Sequence, residues 1–494
     1  MTTNLTHSQE RSRLHVLLTF LLIAGTVIAT ATQINAATYY IDYVGGSHGN
    51  AGTKSAPWKV APGMAGFGGT YVHQAGDVFI FKGGVVWPVQ AMPLTILNSG
   101  SPGNQDVYTT DRTWFSGGSW SQPVFDGGNT TKLINSNGKS YLTINDIAFK
   151  KAGLPSVSDS MKAVEFHNGH HLTVTNNTFQ TYSWIALYIT GYSGTTLSNI
   201  VIQRNDISAA AQGIVVATAA PDTIFDLIDI SGNRIHDFTS KIGGGVHGDG
   251  IHLWGKQGDR SQFIRNGRIY NNRFYGSFRP SFSGGGSMTA LIYLENIYAS
   301  YLIYNNVMSY TDPPQSPLFG ALIWLKGGDV GNTAGSMIYN NSLWGTNPGM
   351  SAGILLTTSP NSDIKNNILS GMKYCYDVSS NSITNTTVDY NNVDGADFSS
   401  PAGKWGTTFY SFSGWQRLGN DVNGTSVSPS FLNAPQDLRS NGSSPVQGVN
   451  FSNIFQIDAS GAPRPPTGPW TLGAYEENVP NLVVPAAPTN LKAS

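Results

Sequence analysis

LTVTNNTF, residues 172–179, alternates apolar and polar residues into an asparagine pair and ends on an aromatic ring. The same phrase recurs along the chain: LTINDIAF (142–149), IVIQRNDI (200–207), IDISGNRI (228–235), GRIYNNRF (267–274), YLIYNNVM (301–308), SMIYNNSL (336–343), SDIKNNIL (362–369) and TTVDYNNV (386–393). Taking Asn145, Asn177, Asn205, Asn233, Asn272, Asn306, Asn341, Asn367 and Asn392 as markers, successive copies lie 25 to 39 residues apart. A period in that range marks a solenoid or an array. Short alternating runs rich in Val, Ile and Tyr are strands, not helices. One coil per repeat predicts an all-β solenoid, the right-handed parallel β-helix, as a single large domain with loop inserts. Asparagine tolerates a tight corner, and its amide can bond its equivalents in the coils above and below. A propeller would need longer, more even repeats of roughly 40–50 residues with four strands each.

The totals agree with a folded, neutral protein. Of 494 residues only 12% are charged, and the net charge is −1, which gives no electrostatic basis for a nucleic-acid partner. The 22 Tyr, 22 Phe and 11 Trp supply ample apolar surface, and the 57 glycines follow no collagen period. Residues 1–36 read as a signal peptide: Arg11 and Arg13 precede an apolar run that ends in small residues near Ile34–Ala36. A retained membrane anchor is the alternative for that run. Secretion, extracellular or periplasmic, and no membrane contact after cleavage are expected. With Cys375 alone, no internal disulfide can form. The solenoid is assigned to 37–477 and a Pro-rich, linker-like tail to 478–494, and the protein is expected to be a monomer.

Three stretches together resemble a known group, the secreted right-handed β-helix proteins of the pectate-lyase-like superfamily. They are YYIDYVGGSHGNAGTKSAPWKVA (39–61), the Asn-marked coils, and the closing region, with FYSFSGWQRLGNDVNGTSVSPSF (409–431), DLRSNGSSPVQG (437–448), APRPP and WTLGAYEE. The resemblance implies the fold and a polysaccharide partner. It does not choose among lyases, hydrolases, epimerases and proteins without activity.

A second set of runs aligns after the asparagine corners: AVEFHN, ALYITG, GIVVAT, GIHLWG, LIYLEN, LIWLKG and GILLTT. Their inward pairs are Val164/Phe166, Leu187/Ile189, Ile214/Val216, Ile251/Leu253, Ile292/Leu294, Ile323/Leu325 and Ile354/Leu356. A one-residue slip would bury the polar set. The outward residues then form two columns, Glu165, Tyr188, Val215, His252, Tyr293, Trp324, Leu355 and His167, Thr190, Ala217, Trp254, Glu295, Lys326, Thr357. Neighbours in a column sit about 4.8 Å apart.

This register places His252, Trp254, Tyr293, Glu295, Trp324 and Lys326 in one patch. GGGVHGDGIHLWG (243–255) adds His247 and Asp249 at a glycine-rich corner. Trp254, Trp324 and His247 are expected to hold sugar, with aromatic faces on pyranose rings; a loop packed over the rings is the bland alternative. For β-elimination at a uronate, His252 and Tyr293 would supply base and acid, and Lys326 would neutralise the carboxylate. Lys326 could equally be a plain ion pair with Glu295.

A glycoside hydrolase would use Asp249 and Glu295, which extended chain separates by about 16 Å unless the backbone bends at Gly248–Gly250. DGIH resembles part of a plant polygalacturonase motif, but the rest of that motif set is missing. Asp249 could otherwise orient a histidine or merely make the turn. No metal site is assigned, since His247, Asp249 and His252 show no fourth ligand. No cofactor is expected; calcium stays open, with Asp222, Asp226 and Asp229 as the nearest carboxylate group. The reading is a secreted polysaccharide lyase, with a hydrolase or a non-catalytic glycan binder as rivals.

Overall fold

The computed structural model describes residues 36–476, apart from 154–160, 193, 239–240, 243–246, 256–262, 283–287, 298–299, 313–319, 329–334, 347–351, 396–401 and 442–446. The expected signal peptide and tail lie outside the described residues, as does the start of the glycine run. No helix among the described residues is long and apolar enough to cross a membrane.

The chain is a right-handed parallel β-helix. Each coil contributes one strand to each of three long sheets, of 12, 11 and 12 strands, and every sheet stacks its strands in chain order. One coil shows the plan: Leu172–Thr175, Thr178–Gln180 and Ile185–Gly191 belong to the first, second and third sheets, and Thr196–Gln203 begins the next coil. The short middle strand is an element that two-run alignment of the sequence does not separate. Among the described residues of the three sheets, only the closing pair, Gly403–Trp405 with Thr408–Tyr410, is antiparallel. The core is a continuous stack of Ile, Leu, Val and Phe, with Phe125, Phe149 and Phe179 packed ring to ring.

The repeated asparagines form a buried ladder. Asn177, Asn205, Asn233, Asn272, Asn306, Asn341, Asn367 and Asn391 follow one another, and each Oδ1 beyond the first accepts the backbone N–H and the Nδ2–H of the rung before it, at 2.8–3.1 Å. Two markers move. Ile147, not Asn145, stands at the first rung position and donates its N–H to Asn177 Oδ1 at 3.0 Å. At the other end Asn391 replaces Asn392, because the left-handed turn residue there is Tyr390. The corner conformation itself belongs to the residue before each rung: Asn176, Arg204, Gly232, Asn271, Asn305, Asn340, Asn366 and Tyr390 all have φ between 51° and 64°. This explains the Asn-Asn and Gly-Asn pairs, since Gly and Asn tolerate that region best.

Asp421 ends the ladder. Its Oδ1 accepts from Asn391 at 3.0 and 2.9 Å and its Oδ2 accepts from Trp415 Nε1 at 3.0 Å. A carboxylate suits the last rung, because it accepts without needing a further acceptor of its own. Trp415 rides on a short helix, Phe412–Arg417, whose N-cap Ser411 accepts from Gly414 N–H, and its ring stacks on Tyr376 over the end of the core. Beyond the cap, the C-terminal segment returns along the first sheet. Phe451, Phe455 and Trp470 pack on Tyr304 and Tyr339 there. Arg464, buried, pairs with Glu476 within that segment at 2.9 Å and joins it to the coils by donating to Asn305 Oδ1 at 2.9 Å.

Candidate functional site

The third sheet carries the candidate site, on strands Gln212–Thr218, Gly248–Trp254, Met288–Ile297 and Ala321–Gly327. Its pairing reproduces both outward columns: Val215, His252, Tyr293 and Trp324 are successive partners, as are Ala217, Trp254, Glu295 and Lys326. The inward pairs Ile251/Leu253, Ile292/Leu294 and Ile323/Leu325 are all fully buried.

Asp249 joins this face through a local break in the alternation. Gly250 and Ile251 both point inward; a Cβ on Gly250 would come within 2.6 Å of the core ring of Phe274. Leu291/Ile292 and Leu322/Ile323 show the same doubling in the following coils, all within the core. Two inward residues in succession return Asp249 and His252 to the same outward side. The strand pairing also shifts between Gly248 and Asp249, a bulge of the kind that re-aims side chains. This is the bend on which the approach of the two carboxylates depended.

Asp249 is fully buried and serves as a hydrogen-bond hub. Its Oδ2 accepts from Gln212 Nε2 at 2.9 Å and lies 2.6 Å from His247 Nδ1 and 3.6 Å from His252 Nδ1. Its Oδ1 accepts the Ala290 N–H at 3.2 Å. Burial of His247 disfavours its charge, but the Asp249 carboxylate outweighs that and raises its pKa above the ordinary histidine value. The His247 side chain remains 36% exposed, so the ring faces both the buried acid and solvent.

Glu295 bridges His252 and Lys326. Its Oε2 lies 3.3 Å from His252 Nε2 and its Oε1 accepts from Lys326 Nζ at 2.9 Å. Burial alone would favour the neutral acid; His252 and Lys326 reverse this and hold the carboxyl at about 2. The His252 contact is too poorly aligned to be a hydrogen bond, which leaves a buried ring nitrogen without a hydrogen-bond partner. Asp249 and Glu295 thus contact opposite nitrogens of one imidazole. With legs of 3.6 and 3.3 Å and a ring about 2.2 Å across, their near oxygens are no more than about 9 Å apart, well inside the extended-chain figure.

The aromatic residues divide by depth. Tyr293 is 3% exposed, stacked on His252 at 4.9 Å and against Trp324 at 4.9 Å. Burial, with Glu295 and Asp249 nearby, pushes its phenol far above the usual range and keeps it protonated. His252 is likewise buried, so this pair forms the floor of the site and not an open wall. Trp254 and Trp324 are half-buried; Trp254, like Trp184, packs against the cluster of Ile185, Tyr188, Val215 and Ala217, and Trp324 Nε1 donates to Thr357 Oγ1 at 3.2 Å. Lys326 is paired with Glu295 yet 31% exposed, so it has further donors to offer.

Gln212 is the residue that the two columns omit. It occupies the position of Asp249 one coil earlier, and extending the alignment three residues upstream would have shown a polar side chain there. His247, Asp249 and His252 place donor atoms within 4.8 Å of one another, a donor set that suits a transition metal. Asp249 Oδ2 also accepts from Gln212 and lies 2.6 Å from His247 Nδ1. Of the aspartates considered for calcium, Asp226 and Asp229 each hold an arginine, Arg265 at 3.1 Å and Arg268 at 2.6 Å.

No family model and no curated protein matches the chain. Among solved structures it is similar to the GH136 lacto-N-biosidase from Eubacterium ramulus, at 10% identity over 72% of this chain and 67% of that one, with a TM-score of 0.37. Pectate lyase Pel9A is similar at 15% identity over 90% and 98% of the two chains, with a TM-score of 0.42. A mannuronic acid specific family 6 polysaccharide lyase from human gut microbiota gives 12% over 65% and 70%, with a TM-score of 0.35. At such distances the chemistry of the site has to be read from its own geometry.

Proposed function

We propose that the protein is a polysaccharide lyase that cleaves beside a uronate by β-elimination. The observation that carries this reading is the pairing of His247 Nδ1 with the buried Asp249 carboxylate at 2.6 Å, beside a Lys326 that keeps exposed donors. Glu295 is held ionised at about 2, and Asp249 takes hydrogen bonds from Gln212 and the Ala290 N–H. A hydrolase needs one of its pair to stay protonated as the acid. Glu295, held ionised by His252 and Lys326, is not placed for that, although a separation of at most about 9 Å leaves room for either a retaining or an inverting pair.

Elimination asks for different parts, and they are at hand. His247, backed through Nδ1 by Asp249 and with no hydrogen-bond partner at Nε2 among the described residues, takes the C5 proton, as an acid-oriented histidine does in hydrolytic triads. The C5–H electrons form the C4–C5 double bond as the C4–O bond breaks. The Tyr293 phenol, kept protonated, donates to the departing oxygen. Lys326 offsets the uronate carboxylate, and Trp254 and Trp324 offer half-buried faces to sugar rings. His252, expected from sequence as the base, is buried and stacks on Tyr293 at 4.9 Å, and in this reading it positions the phenol.

The test is turnover of a panel of uronate-rich and neutral polysaccharides by the mature chain, repeated with His247→Ala and Tyr293→Phe. Cleavage confined to uronate-rich polymers and lost in both variants supports the reading. Cleavage of neutral polymers only, or full activity in both variants, overturns it. Binding without cleavage in every case would favour a glycan-binding protein.

A further inference from the structure

A second cluster on the same sheet face repeats the composition of the first. Glu165 is buried, and it is contacted by Lys132 Nζ, by His167 Nε2 at 2.6 Å and by Lys162 Nζ at 3.8 Å. Burial would raise its pKa, but His167 and Lys132 hold the carboxyl at about 2. Tyr188 stands one coil along in the same column, edge-on to His167 at 6.4 Å. Both places therefore combine an ionised glutamate with histidine, lysine and tyrosine, the first with two histidines, His247 and His252, and the second with His167. The second differs in having two lysines against one carboxylate, which leaves it a surplus positive charge.

Lys162 carries that surplus. Its ammonium lies 4.6 Å over the Tyr188 ring and beyond hydrogen-bond distance of Glu165, and no acceptor within that distance is found among the described residues. Beside it, Tyr192 is 47% exposed and stacks on His167 at 5.7 Å and 15°. A lysine with no acceptor within hydrogen-bond distance among the described residues, next to an exposed aromatic face, is what an acidic sugar needs: a donor for its carboxylate and a platform for its ring.

The two clusters lie in register. Pairing runs from Glu165 through Tyr188, Val215 and His252 to Tyr293, and from His167 through Thr190, Ala217 and Trp254 to Glu295. Four strand steps separate the coil of Glu165 from that of Glu295, about 19 Å along the helix axis, roughly the length of four linked pyranoses. Between them Ile185, Tyr188, Val215 and Ala217 form a buried apolar cluster, against which the half-buried Trp184 and Trp254 pack.

We infer that Lys162, Lys132, His167 and Tyr192 form a second site, which holds the carboxylate and ring of an acidic sugar about four units from the bond that is cleaved. The substrate class is then a polyuronate long enough to reach both clusters. This assignment rests on the elimination reading for the position of the cleaved bond, but not for the binding itself.

Calorimetric titration with oligogalacturonates of two to eight units tests it, using His247→Ala as the non-cleaving parent and Lys162→Gln and Tyr192→Ala added singly. Tyr192 is exposed, so its removal leaves a fold check through unaltered thermal unfolding. The ratio of variant to parent Kd is expected to widen at least tenfold between trimer and hexamer. A ratio flat with length, or a parent that does not bind the hexamer, overturns the second site. An equal widening with neutral xylo-oligosaccharides overturns the acidic-sugar assignment. Elimination assayed separately on the otherwise unsubstituted enzyme reports on the other reading: its absence with the widening intact leaves the second site standing alone.

Discussion

His247 Nδ1 lies 2.6 Å from Asp249 Oδ2, and the same oxygen accepts from Gln212 at 2.9 Å. Asp249 is therefore fixed from two sides and in turn fixes the tautomer of His247, with the proton on Nδ1 and a lone pair on Nε2. Asp249→Asn should lower kcat by about a hundredfold or more while changing KM little, because it removes orientation and not substrate contact. Steady-state kinetics on a polyuronate decides this; an equal loss through KM would mean that Asp249 holds the sugar.

The same pair sets a pH dependence. Burial opposes charge on His247, but Asp249, with Glu295 further off, raises its pKa above the ordinary value near 6.5. A base works only when unprotonated, so the acid limb of kcat/KM should lie above that value, with activity rising as pH rises through it. Asp249→Asn, by removing the main cause, should move the limb to lower pH. A limb that stays in place would detach His247 from the profile.

Glu295 and Glu165 predict acid sensitivity of the fold. Both carboxyls are held at about 2 in the folded protein, against an ordinary glutamate value of 4.5. Their folded pKa values are depressed, so the stabilisation is fully present above about 4.5 and is lost as pH falls towards 2. For Glu295 this is worth up to about 3 kcal/mol at neutral pH. Chemical denaturation of Glu295→Gln should show that loss at pH 7 and little difference from the parent near pH 2.

Adjacent residues at one corner should respond oppositely. Asn391 accepts from Asn367 N–H at 2.8 Å and Nδ2 at 3.0 Å, so Asn391→Ala orphans buried donors and should cost about 2–4 kcal/mol. Tyr390, at φ 59°, occupies the left-handed region at a cost. Tyr390→Gly should be neutral or stabilise by up to about 1 kcal/mol. Denaturant midpoints measure both, and equal losses would remove the ladder from its central place in stability.

The winding was legible in the sequence because it repeats. A recurring phrase states strand, corner and ladder many times over, and the inward pairs of the third sheet fix its register against any slip. The columns of His252, Tyr293, Glu295 and Lys326 followed from that register alone. Depth was not legible: alternation tells which side a residue faces, but not that Tyr293 would be covered by His252 and Trp324. The doubled inward residues at Gly250–Ile251 were hidden for a similar reason. A glycine has no side chain to show its facing, so Asp249 read as too distant from Glu295. Asp421 escaped because the ladder's last rung changes residue type while keeping its shape.

The most direct measurement is the stoichiometry of products from one polyuronate digest, with ultraviolet-absorbing unsaturated ends and new reducing ends counted together. Elimination predicts one unsaturated end for each reducing end, with both signals lost in His247→Ala. Reducing ends without ultraviolet absorbance would contradict it and return Asp249 and Glu295 to the roles of a hydrolase pair.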